Sequence, residues 1–270
     1  MDRSTSMFVV LLSSCVSLSA QWLNYPTAGI PRTPAGKPNL TAPAPKTPDG
    51  KPDFSGVWAV RTSGRQDLEY FLDIGKVVKG GLPYKPGIGE MARARGAPEN
   101  KLTQPISHCL PTGLLVEHTV PASMGGVQKI VQNPGLVFIL FEYNMMWRQI
   151  FTDGRPLPTD PEPAWNGYSI GKWEGDSLVV TTTGFKDGQW LDGSGNPLSD
   201  AATVTERFRR PDFGHMEVDF TIDDPKSYTR PWTVTIPKYL MPDTDLIEYE
   251  CLENERDLKH MVPPTPSAAK

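Results

Sequence analysis

The sequence predicts a mainly β protein, either an antiparallel β-barrel or a strongly curved sheet, with little helix. The chain holds 28 prolines and 24 glycines, which favour turns and loops over helices. Through residues 138–210, apolar and polar residues alternate at period two, and turn residues interrupt them about every eight to twelve positions. Apolar residues make up 38% of the chain and concentrate after Phe54. A two-sheet sandwich is the alternative architecture.

The N-terminus carries the features of an export signal. Arg3 precedes an apolar run over 7–20 that ends Ser-Leu-Ser-Ala before Gln21, which is typical of a signal peptide over 1–20. This run is too short to cross a bilayer as a helix. A lipobox ending at Cys15 is the alternative, and it would make Cys15 the lipidated first residue. We expect an exported protein, periplasmic or extracellular, that is attached to a membrane only if Cys15 is lipidated.

Residues 21–53 form a proline-rich N-terminal arm. The segment holds eight prolines and has almost no apolar periodicity, so it cannot build a core of its own. We expect an extended arm that is partly ordered by contact with the domain; a disordered linker is the alternative. A single mainly β domain over 54–261 and a disordered tail over 262–270 complete the organisation.

The domain opens with a strand over 54–60 that contains Gly56-Val57-Trp58. This Gly-x-Trp pattern resembles the first strand of lipocalin-like (calycin) barrels. The resemblance implies that Trp58 plugs one end of a barrel and that an arginine packs over it. Residues 61–107 are less regular, and their best helix candidate lies over 86–95, with Pro86 at its start. Further strands are expected at 127–132, 136–142, 146–152, 165–171, 173–180, 203–209, 216–222, 232–239 and 246–251, and a short helix or tail at 254–261.

Charged residues at three positions are better explained by turns than by catalysis. Asp153 begins Asp-Gly-Arg, which we interpret as a hairpin-type turn. Glu174 and Asp176 flank Gly175 in the strongest hairpin signal of the chain.

Composition and motifs exclude several classes of function. The net charge of −4 and the pI near 5.6 provide no basic surface for nucleic acid. His260 with Glu253 and Asp257 resembles a loose metal cluster, but its terminal location and the total of four histidines argue against a metal site, and the sequence suggests no cofactor. After Ala20 only Cys109 and Cys251 remain, so we expect one disulfide, with free thiols or soft metal ligands as alternatives. His108 beside Cys109 is a weak candidate for chemistry.

The candidate site residues come from several strands and loops. Glu206 on a strand and Asp192 in a loop are the candidate catalytic carboxylates. The candidate ligand-binding residues are aromatic or basic side chains: Arg148, Trp165, Tyr168, Trp190 and Arg209. The leading hypothesis is a small apolar or aromatic molecule held in the barrel interior. The alternatives are a hydrolase or lyase with Glu206 or Asp192 as general base, and an envelope structural module without a pocket.

Nearly the whole mature chain resembles a large family of exported bacterial proteins. The stretches that carry the resemblance are KPDFSGVW, RQIFTDGRPLP, WNGYSIGKWEGDSLVVTTTGF, WLDGSGNPLSD, TERFRR, TIDDPKSYTRPWT and IEYECLENERD. The resemblance brings no activity with it. Members of that family often have Pro-His-Ser where this chain has Pro197-Leu198-Ser199, so any chemistry of that histidine is missing here.

Overall fold

In the computed structural model, which describes residues 26–60 and 65–250, nine strands close into a barrel. In chain order these are β1 (Gly56–Val60), β2 (Val127–Asn133), β3 (Leu136–Phe141), β4 (Trp147–Phe151), β5 (Tyr168–Glu174), β6 (Ser177–Thr183), β9 (Thr203–Arg209), β10 (His215–Asp223) and β11 (Trp232–Leu240). Their order around the barrel is β1-β11-β10-β9-β6-β5-β4-β3-β2. Two short strands, β7 (Gln189–Trp190) and β8 (Pro197–Leu198), pair with each other. The predicted mainly β class and barrel are therefore confirmed, and the sandwich alternative is wrong.

One neighbouring pair in the barrel is parallel. A closed ring with an odd number of strands cannot alternate in direction throughout, so at least one pair must run the same way. That pair is β4 and β5, joined only at Ile150–Ser169 and Phe151–Ile170 within the described chain. The hairpin expected at Asp153-Gly154-Arg155 is therefore wrong, because the chain makes a long crossover there and returns parallel. The hairpin expected around Gly175 is confirmed by the Glu174–Ser177 pair of β5 and β6.

The interior of the barrel is filled with side chains. Burial alternates along the strands, so every second residue points inward. The inward positions include large apolar side chains that are at most 2% exposed: Trp58, Ile139, Ile150, Phe208 and Phe220. These side chains occupy part of the interior, and the expected binding of a ligand inside the barrel stays a prediction.

Trp58 lies under an arginine, as the lipocalin-like pattern implied. The indole is fully buried, and its Nε1 donates to the Phe54 carbonyl at 2.9 Å. The Arg210 guanidinium lies 4.8 Å from the ring centroid and donates to the Asp53 and Phe213 carbonyls. Gly56 is needed beside it, because its φ is +141° and a Cβ there would meet Leu240 Cδ1 at 2.7 Å.

Helices cover and enter the barrel. The α-helices are α1 (Arg65–Leu72), α2 (Ile88–Gly96) and α3 (Leu114–Thr119), and 3-10 turns occur at Ile74–Lys76, Pro98–Thr103, Pro105–His108, Ala122–Met124 and Tyr143–Met145. Helix α2 confirms the helix expected over 86–95. Helix α3 was not predicted. All six of its residues are buried, so it has no solvent-exposed face and no amphipathic pattern.

The arm is bound along the barrel. Gly214 N donates to Leu40 O at 2.7 Å, and Phe213 N donates to Ala42 O at 2.8 Å. Arg32 pairs with Asp243 at 2.6 Å. This docking agrees with an arm ordered by contact over its described part, residues 26–53.

The strand expected over 246–251 is not found in the part of that segment that the structure describes. Residues 246–250 form no strand, so the last predicted strand is wrong over its described part. The signal peptide, Cys251, the expected helix over 254–261 and the tail lie outside the described residues, and the pairing of Cys109 with Cys251 stays a prediction. Of the helices described, none is long and apolar enough to span a membrane.

Candidate functional site

A cleft of about 830 Å³ opens where β4 and β5 separate. Its lining comes from both strands, including the inward-pointing Arg148 and Ser169, and from the proline-rich crossover between them. The lining includes Met146, Trp147, Arg148, Gln149, Phe151, Arg155, Pro156, Leu157, Trp165, Asn166, Tyr168, Ser169 and Ile170. Its volume lies within the range of small-molecule pockets.

The alternation of β4 determines which side chains line the outer wall. Arg148 and Ile150 are buried and point into the barrel, while Trp147, Gln149 and Phe151 are more exposed and point outward. Trp147 is 61% exposed. The crossover then brings Leu157 and its neighbouring prolines over this outer face.

A tight turn directs the crossover into β5. Gly167 N donates to Ala164 O at 3.2 Å, so residues 164–167 make a β-turn. Gly167 has φ +59°, and a Cβ there would meet the Thr183 carbonyl at 2.6 Å. Glycine at this position lets the chain pass close to β6 and leaves Trp165 and Asn166 on the cleft wall.

Arg148 forms the base of the cleft and is held by a buried ion pair. Its Nη1 donates to Glu206 Oε1 at 2.9 Å, and its Nη2 donates to Glu206 Oε2. Nε donates to Ser169 Oγ at 3.0 Å, and Nη2 donates also to Thr182 Oγ1 at 2.8 Å. The two charged side chains are at most 2% exposed. Such bidentate geometry fixes the guanidinium in one orientation.

His118 of α3 lies beside this pair in the barrel interior. Its ring packs edge-on against Phe141 and Phe220, with centroids 5.2 and 5.0 Å away. Its Nε2 is 3.8 Å from Glu206 Oε1. Burial, then the positive charges of Lys238 and Arg148, hold the pKa of His118 well below its ordinary value. The imidazole is therefore neutral at physiological pH.

Lys238 is, with His118, the second buried basic side chain near Glu206. Its Nζ donates to the His118 carbonyl. Burial lowers the pKa of Lys238 to about 7, although the charge of Glu206 opposes this shift. The hydrogen bond to His118 links β11 to α3.

Asn166 is the unsatisfied polar group of the cleft wall. The residue is 6% exposed, and among the described residues neither Oδ1 nor Nδ2 has a hydrogen-bond partner. Buried polar side chains are nearly always bonded, and an unmade bond costs about 1–3 kcal/mol. This amide therefore has a donor and an acceptor that no described residue engages.

The rim of the cleft is aromatic and held by local contacts. The Arg155 guanidinium lies 3.8 Å from the Phe151 centroid and pairs with Asp153 at 2.6 Å. Tyr168 donates its hydroxyl to the Glu162 carbonyl at 2.8 Å. These contacts hold aromatic faces around the opening.

The predicted site residues divide into two groups. Arg148, Trp165 and Tyr168 line the same cleft. Glu206 lies behind Arg148, fully buried, and both its oxygens are bonded to the guanidinium. Glu206 therefore lacks the accessible lone pair that a general base acting on a cleft ligand needs.

Asp192, Trp190 and Arg209 are not among the residues that line the cleft. Asp192 accepts hydrogen bonds from Ile74 N, Ser194 N and both Asn196 N and Nδ2. Burial raises its pKa to about 6 despite these bonds. It organises a loop; its oxygens are occupied by these donors.

Trp190 and Arg209 have partners in other places. Trp190 is buried on β7, with the Arg95 guanidinium 5.8 Å from its ring. Arg209 points outward from β9 and pairs with Asp219 at 2.5 Å and Glu217 at 3.1 Å. Leu198, at the position of the family histidine, is 1% exposed and packs in the core.

Sequence reasoning missed Asn166, His118 and Lys238. Asn166 precedes Gly167, and Asn-Gly is a turn signal, which could have marked the entry to β5. The other two carry no local signal, since a histidine and a lysine inside a barrel resemble surface residues in sequence.

No group of three or more His, Cys, Asp or Glu side chains within the described ranges is placed to hold a metal ion. Compared with protein-family models and with curated proteins, the chain matches neither.

Proposed function

We propose that the protein is an exported β-barrel that binds a small apolar or aromatic molecule in the cleft between β4 and β5. The N-terminal apolar run and the resemblance to exported bacterial proteins support the export. The single observation that carries the binding is the cleft itself. It combines aromatic walls with a fixed arginine and an unsatisfied buried amide, the mixture typical of small-ligand sites.

The site differs from the one expected inside the barrel. The ligand approaches from the outer face, where Trp147 and Tyr168 offer flat apolar surfaces. Arg148 closes the bottom of the cleft, and its ion pair with Glu206 keeps this surface rigid. A rigid, preformed wall reduces the ordering cost of binding.

Neither alternative function has an observation that favours it over binding. Glu206 and Asp192, the two candidate bases, have their oxygens engaged within the protein. A module without a pocket does not need the cleft or its exposed tryptophan.

Fluorine NMR with 4-fluorotoluene tests the proposal, because this probe is aromatic and forms no strong hydrogen bond. We expect its signal to broaden or shift on titration with the protein. The variant Trp147→Ala should weaken binding about twofold to tenfold, the value of one aromatic contact. Trp147 is largely exposed, so the change should leave the fold intact.

Met124→Ala is the matched control. Met124 is 53% exposed and does not line the cleft. Its removal should leave binding unchanged. A probe signal indifferent to the wild-type protein, or equal losses in the two variants, would rule the cleft out.

A further inference from the structure

We propose that the natural ligand of the cleft is a short peptide in an extended conformation, held by main-chain hydrogen bonds along the open edge of β4. This inference rests on the proposed binding function and names its ligand class. Two independent features of the cleft are complementary to the same chemical group, an amide that donates one hydrogen bond and accepts another.

The first feature is the unpaired edge of β4. Phe141 N donates to Met146 O at 2.8 Å, and Thr152 N donates to Gly135 O at 2.9 Å. Such bonds recur at every second residue of an antiparallel ladder. The even-numbered residues of β4 thus bond to β3, and Trp147, Gln149 and Phe151 direct their N–H and C=O groups to the opposite edge.

Strand β5 covers only part of that edge. Within the described chain the two strands pair at Ile150–Ser169 and Phe151–Ile170 and no further. A parallel ladder in this register engages Phe151 and the Gln149 carbonyl. The Gln149 N–H and both main-chain groups of Trp147 lie beyond the last pair, at the position where the strands separate around the cleft.

The second feature is Asn166. Continuing the register of the two strands backwards places it opposite Trp147, but the turn at Gly167 moves the chain away. Its amide is buried and without a partner among the described residues. A side-chain amide bonds a peptide unit at two points, since each offers one N–H and one C=O to the other.

The side walls suit an extended peptide. Adding a strand to an open sheet edge is a common mode of peptide recognition, in which main-chain bonds give affinity and pockets select alternate side chains. Trp147 and Tyr168 flank the edge and offer apolar surfaces to those side chains. The volume of about 830 Å³ suits a ligand of a few residues.

Calorimetry with two matched probes tests the inference. One probe is N-acetyl-phenylalanyl-alanine N-methylamide; the other replaces its central amide by an ester, which removes one N–H and weakens one carbonyl. We expect the wild-type protein to bind the peptide about fivefold to tenfold more tightly than the ester. Asn166→Leu should weaken peptide binding by a similar factor, and Met124→Ala, which lies outside the cleft, should leave peptide binding unchanged.

The outcomes separate the ligand class from the function. Equal binding of peptide and ester, no binding of either, or unchanged peptide binding by Asn166→Leu would overturn the inference. If 4-fluorotoluene still binds in those cases, the cleft remains a binding site; if it does not, the proposed function fails too. Should Asn166→Leu not fold, the preference of the wild-type protein for peptide over ester decides alone.

Discussion

Arg148 on β4 and Glu206 on β9 form a bidentate ion pair inside the barrel, 58 residues apart in sequence. Both are essentially removed from water. A buried pair adds little net stability, but losing one partner leaves a bare charge in an apolar interior. The pair thus fixes the base of the cleft and makes the barrel sensitive to single substitutions there.

Glu206→Gln should therefore destabilise the protein by about 3–5 kcal/mol, measured by denaturant unfolding. The double variant Arg148→Met/Glu206→Leu removes both charges and should recover much of that loss. A Glu206→Gln protein as stable as wild type would show that the pair is not buried as described.

Glu117 on α3 gives stability a defined pH dependence. Burial raises its pKa from about 4.5 to about 7, although Thr112 and Asn144 donate to its Oε1 at 2.8 and 3.2 Å. The folded state then binds the proton more tightly than the unfolded state between these values. The contribution of Glu117 to stability should fall as pH rises from about 4.5 to 7, by at most about 1.4 kcal/mol per pH unit.

Glu117→Gln should make the unfolding free energy fall less steeply with pH across the same window, by up to about 1.4 kcal/mol per pH unit. The slopes contributed by Asp192, whose pKa is raised to about 6, and by His118, whose pKa is lowered, remain in the variant. A slope equal to that of the wild-type protein would assign the effect to another group.

Asn166→Leu should stabilise the protein by about 1 kcal/mol, because it removes an unsatisfied amide and keeps the branching and number of heavy atoms of the side chain. Asn196→Leu is the matched control: Asn196 is 1% exposed, donates to Asp192 at 2.6 Å and accepts from Tyr84 at 2.5 Å. The control should lose about 2–3 kcal/mol. Thermal unfolding compares the two, and losses of equal size would mean that Asn166 has a partner.

Arg210→Lys should lower the unfolding free energy by about 2–3 kcal/mol. The planar guanidinium stacks on Trp58 and donates to several carbonyls, and lysine lacks the planar fork that makes these contacts at the same time. Arg209→Lys is the neighbouring control, since its surface ion pairs are worth about 1 kcal/mol or less. Similar small effects at both positions would contradict a structural role for the Trp58–Arg210 stack.

The sequence was informative where a feature is local. Strand alternation places Glu206 on the same face as Val204 and Phe208, the face that the structure shows to be buried, and the Gly-x-Trp pattern implies an arginine over Trp58. The same alternation places Arg209 on the face opposite Glu206, so the two side chains cannot share one interior site.

The rest depends on long-range contacts. The parallel pair β4–β5 follows from closing nine strands into a ring. No local sequence feature of β4 or β5 indicates which strand will be its neighbour. Only one of the partners of Asp192, the Ile74 N–H, lies far away in sequence, at 118 residues; Ser194 and Asn196 are local donors, and their turn could have indicated a structural role. The unpartnered state of Asn166 becomes visible only when all neighbours are in place.

Photolabelling tests the central claim, the cleft between β4 and β5, most directly. A small aryl diazirine would be photolysed with the wild-type protein, with and without excess 4-fluorotoluene, and labelled peptides located by mass spectrometry. The cleft predicts labels within 146–151 and 155–170 that the competitor suppresses. Labels spread over other apolar surfaces such as Met124, or unaffected by the competitor, would contradict it.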